Sequence, residues 1–87
     1  MKFSNRDKNI IKFLKANADR EFALDEIISF LARKEEEKPK NYRGSVVSSI
    51  NKLKMKLFVF GVDLMLTSKI GRGYKATYTV SDRINHL

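Results

Sequence analysis

The chain's 87 residues suffice for one modest hydrophobic core, so the expectation is a single domain over 1–87, with about 5–80 as its ordered part and 81–87 as a tail. Several classes are excluded at once: no apolar run approaches the ~20 residues of a bilayer crossing, Lys12 breaks the one apolar stretch near the N-terminus, and with no cysteine there is no disulfide framework, thiolate zinc site or thiol nucleophile. The net charge of +8 is unevenly spread: residues 21–37 carry two cations against six acids, and residues 38–57 carry six cations and no acid, a pattern that favours a polyanionic partner.

Ser4-Asn5-Arg6-Asp7 reads as a helix start, with Ser4 as cap, an acid three residues on, and Phe3 able to staple onto the first turn. Ile10, Ile11, Phe13, Leu14 and Ala18 fall at helical spacing, which predicts an amphipathic helix over 5–17. Glu21–Ala23 is a connector with one extended, pairing residue near Phe22. Leu24, Ile27, Ile28 and Leu31 define a second helix over 24–34, with Asp25 and Glu26 in its first turn, where the dipole favours anions. Glu35–Lys40 has no apolar period and holds the single proline, so it is a loop, its glutamates a solvated turn.

Asn41 is the expected cap of a third helix, over about 42–57. Val46, Ile50, Leu53 and Leu57 recur at four, three and four residues, one buried stripe. The other side offers Arg43, Ser45, Ser48, Ser49, Asn51, Lys52, Lys54 and Lys56 and no carboxylate. Surface helices normally intersperse acids that pair at i,i+4, and their absence implies that the negative charge comes from outside. Gly61 stops the helix. From Val62 the period becomes two: Leu64, Leu66, Ser68 and Ile70 alternate, then Gly71-Arg72-Gly73, then Tyr74, Ala76, Tyr78 and Val80. That is a β-hairpin with a glycine-rich turn. Phe3, Phe13, Phe22, Phe30, Phe58 and Phe60 are expected in the core, the last two beneath the hairpin.

No residue set has the spacing of a catalytic site. His86 is one residue from the C-terminus, the acids form no acid/base pair, and Gly71-Arg72-Gly73 lacks the longer glycine pattern of a phosphate cradle. Neither an enzyme nor a cofactor is expected. Two helices, a third that is apolar on one side and basic on the other, and a basic hairpin together describe a winged helix-turn-helix, mainly α with a β-hairpin. In that reading Ser45, Ser48, Ser49, Asn51 and Lys52 reach base edges in the major groove while Arg43 and Lys56 hold phosphates. Lys69, Arg72 and Lys75 brace the adjacent backbone or minor groove. Some five to seven phosphate contacts would give a log–log salt slope near −5 to −6.

The residues also resemble the effector domain of OmpR/PhoB-type response regulators. That family's recognition helix reads V-x-x-x-I-x-x-L-x-x-K-L, matched by Val46, Ile50, Leu53, Lys56 and Leu57. Its wing ends in R-G-x-G-Y, and Ile70-Gly71-Arg72-Gly73-Tyr74 keeps both glycines and the tyrosine but not the first arginine. Phe13–Asn17 and Asp25–Ile28 are similar to its first two helices, so the resemblance spans about 7–78. These 87 residues hold neither the receiver domain nor the N-terminal four-stranded sheet, which implies a stand-alone relative.

The resemblance further implies a cytoplasmic, nucleoid-associated protein if bacterial, with duplex DNA as partner and RNA polymerase as a second contact through the 34–42 loop. The first helix and the tail each offer a homodimer surface. The alternative reading is a winged-helix module that binds a protein such as RNA polymerase or another regulator with the same helix; a lysine- and serine-rich face argues against it, because interface centres favour aromatics.

Overall fold

The computed structural model describes residues 2–70 and 75–87, and the side chains of 2–67 and 76–87. In chain order it contains α1 (Asn5–Ala16), β1 (Phe22–Ala23), α2 (Leu24–Lys34), α3 (Tyr42–Val59), β2 (Leu64–Ile70), β3 (Lys75–Val80) and a 3₁₀ turn over Asp82–His86. The strands form an antiparallel sheet in the order β1-β3-β2. The fold is α+β, three helices against one small sheet.

Local chemistry accounts for the helix ends. Ser4 Oγ accepts from the Asp7 amide and Asp7 Oδ2 from the Ser4 amide, each at 3.0 Å, so two otherwise unpaired donors are satisfied reciprocally. At α2 the Glu26 carboxylate accepts the Ala23 amide at 2.8 Å, which is half of that arrangement, since Ala23 has no side-chain acceptor to return it. Asn41 Oδ1 caps α3 by accepting from the Gly44 amide at 3.0 Å. A Cβ at Gly44 would collide with the Asn41 side-chain amide, so glycine is what lets this cap close down. At the far end the Val62 amide donates to the Leu57 carbonyl and the Gly61 amide to that of Phe58, while Gly61 takes φ 78°. This is a Schellman termination, which needs a left-handed residue.

One core joins the elements. Ile10, Phe13 and Leu14 of α1, Leu24, Ile27 and Leu31 of α2, and the expected Val46, Ile50, Leu53 and Leu57 stripe of α3 are all buried. The sheet closes over them with Phe22, Leu64, Ala76, Tyr78 and Val80. Phe13 lies edge-on to Phe22 at 5.3 Å and to Phe30 at 5.5 Å, and Phe22 stacks on Tyr78 at 6.3 Å. Aromatic contacts of this geometry add to area burial and here tie α1, β1, α2 and β3 together.

Four expectations are corrected. Phe58 and Phe60 are 71% and 46% exposed: the seam's last residue is Leu57, Phe58 is turned a further ~100° around the helix, and after the Gly61 reversal it is Val62 that enters the core. Phe3 does not staple α1; its ring meets Phe60 at 5.9 Å. Residues 81–87 are no loose tail. The Ser81 amide donates to the Asp63 carbonyl at 2.9 Å, the Asp63 amide donates to the Ser81 hydroxyl at 3.1 Å, and Ile84 is fully buried. Finally, strict alternation along β2 fails at Thr67, an extra residue between the Leu66–Tyr78 and Ser68–Thr77 pairs. That bulge puts Lys69 opposite Ala76.

Candidate nucleic-acid interface

The basic side of α3 is organised by residues far away in sequence. Arg6, on the first turn of α1, grips Glu35 with two bonds, Nε to Oε2 at 2.8 Å and Nη2 to Oε1 at 2.6 Å. Its remaining nitrogen, Nη1, donates to Ser45 Oγ at 2.8 Å and Ser49 Oγ at 3.2 Å. The Tyr42 hydroxyl donates to the same carboxylate at 2.9 Å, and the guanidinium lies 5.5 Å from the Tyr42 ring centre. One cation thus joins α1, the α2–α3 loop and α3. Burial and the bond to Glu35 push the Tyr42 phenol up to about 12. The bond from Arg6, helped by that from Tyr42, outweighs desolvation and holds Glu35 below the usual carboxylate range. Glu35 is therefore a structural tether, not a solvated loop residue as the sequence implied.

Two of the four cations on α3 itself also have carboxylate partners. Lys56 donates to Asp7 Oδ2 at 2.8 Å and to the Lys2 carbonyl at 3.2 Å. Burial acts to raise the Asp7 pKa, but the bonds from Lys56 and Ser4 overcome it and the net shift is downward. Arg43 pairs with Asp25 in the first turn of α2. The inference that α3's negative charge must all come from outside is accordingly corrected: Asp7 and Asp25 supply part of it from other elements.

Ser48, Asn51 and Lys52 remain. They are exposed, Asn51 and Lys52 three and four residues on from Ser48 and all opposite the buried seam, and Lys52 has no carboxylate partner among the described residues. Lys69 and Lys75 lie at the facing ends of β2 and β3, and their side chains, like all of Arg72 and the glycine turn, are outside the described residues. Ser45 and Ser49 accept from a guanidinium rather than donating to a base, the reverse of an activated nucleophile. Among the described residues no group of three His, Cys, Asp or Glu side chains is placed to hold a metal ion, and no helix is long and apolar enough to cross a membrane.

Sequence reasoning missed two features here. Arg6 carried no signal, being one cation in an amphipathic helix. Past Lys52 the outward strip turns apolar, with Met55, Phe58 and Val59 exposed; residues of that kind off the seam were a readable signal. Comparison of the chain with protein-family models, curated proteins and solved structures found no match.

Proposed function

We propose that the protein is a winged-helix, sequence-specific double-stranded DNA-binding transcriptional regulator, with the exposed middle of α3 entering the major groove and the β2–β3 hairpin on the adjacent backbone or minor groove. The observation that carries this reading is the strip Ser48, Asn51, Lys52: polar, cationic, free of carboxylates and borne on a helix pinned at both flanks by Arg6, Arg43 and Lys56. Asparagine and serine at such positions can pair with base edges, and a lysine can take a phosphate or a guanine. Arg43, Ser45, Ser49 and Lys56 move in this reading from direct contact to support. Lys69, Arg72 and Lys75 keep the bracing role the sequence suggested.

The test is a duplex-binding titration across salt concentrations. Lys52→Ala is expected to weaken binding several-fold and to make the log–log salt slope shallower by about 0.9, the loss of one phosphate contact. Asn51→Ala is expected to relax base preference among duplexes selected from a random pool. Affinity that ignores both salt and Lys52 sinks the proposal. The exposed Met55 and Phe58 favour a second reading, a protein-interaction module. A pull-down that survives nuclease and moderate salt, without DNA binding, would support that one.

A further inference from the structure

Beside the proposed DNA face, the C-terminal half of α3 and the start of β2 enclose an open groove of about 430 Å³. Met55, Phe58, Val59 and Met65 line it, each more than half exposed. Four large apolar side chains exposed side by side form a contiguous patch, unlike the scattered single hydrophobics of an ordinary monomer surface.

We propose that this groove is the interface with a second copy of the chain, related by a two-fold axis. Two observations select that occupant. The groove's rim carries Lys54 on α3 and Asp63 ahead of β2, charges of opposite sign. A two-fold axis sets each Lys54 against the partner's Asp63, so the surface is complementary to itself. An acidic peptide, a phosphate or an anionic lipid surface would meet Asp63, and a basic peptide would meet Lys54.

The second observation is that β2 is an edge of the sheet. Its first residues, Leu64–Leu66, carry neither lysine nor proline to guard that edge. The bulge at Thr67 bends the strand beyond it, which leaves the segment beside the groove as the part free to pair. A two-fold axis perpendicular to the sheet makes two such edges antiparallel, the arrangement of the stronger ladder.

The experiment is sedimentation equilibrium of the full chain without DNA, in about 0.3 M salt to screen the +8 net charge. The apparent mass is expected to rise with concentration from 10.1 kDa toward twice that value. Lys54→Asp or Asp63→Lys alone is expected to raise the dissociation constant by about tenfold or more, and the double swap to restore it to within about threefold. Met65→Lys, on an exposed side chain, is expected to abolish the dimer while circular dichroism stays native. A chain still at 10.1 kDa near 1 mM overturns the proposal, as does a dimer that the double swap fails to rescue. Such a monomer that still binds duplex DNA would leave the proposed function intact.

Discussion

Arg6 holds four oxygens from three residues, Glu35, Ser45 and Ser49, and its geometry is specific to a guanidinium. The planar fork meets both Glu35 oxygens while its outer edge reaches two serines, which a single ammonium cannot do. The Arg6 and Glu35 side chains keep only 21% and 17% of their exposure, so solvent screens this pair less than an ordinary surface ion pair. Arg6→Lys is expected to cost about 1–2 kcal/mol and Arg6→Ala about 2–3 kcal/mol in urea unfolding, on the scale of charge-assisted hydrogen bonds. A lysine variant as stable as the parent would assign the cluster no structural weight.

Among the elements, the closing 3₁₀ turn departs furthest from its expected role. Ile84 is fully buried in the common core. Its truncation to alanine is expected to destabilise the fold by about 2–4 kcal/mol, read as a lower urea midpoint with unchanged slope; a change under half a kcal/mol would return these residues to the status of a tail. The difficulty in reading this element is physical. One isoleucine among polar neighbours has no period, whereas Val46, Ile50, Leu53 and Leu57 keep the helical spacing through three successive intervals. The helices, their Ser4 and Asn41 caps and the hairpin's strands were legible because each is encoded within a few residues. The partners of Arg43 and Lys56 were not, since Asp25 and Asp7 lie 18 and 49 positions away. Neither was the Thr67 bulge, which keeps the alternating pattern in sequence and breaks it only in register.

At the scale of the whole molecule, the Arg6–Glu35 and Lys56–Asp7 pairs fasten α1 across to the loop before α3 and to α3 itself. Both carboxylates are held below their ordinary pKa in the fold, so the native state resists their protonation. Stability from this source is fully present above the ordinary values of 3.8 and 4.5. It is lost as the pH falls through the depressed folded-state values. Asp7→Asn is therefore expected to be less stable than the parent at pH 7 and to lose less on acidification, so that the two curves of unfolding free energy against pH converge below about pH 4. Parallel curves would remove Asp7 from this account. Acidification also raises the net charge of an already basic chain, so self-repulsion acts in the same direction.

The pinned flanks of α3 also bear on the entropy of association. Fixing a long, rotamer-rich side chain at an interface costs roughly 0.5–1.5 kcal/mol. Arg6, Arg43 and Lys56 are already held by Glu35, Asp25 and Asp7 before anything meets this helix. Of the three exposed residues in the central strip, Ser48, Asn51 and Lys52, only the lysine has much rotamer freedom left to lose. A ligand arriving there meets a surface ordered in advance.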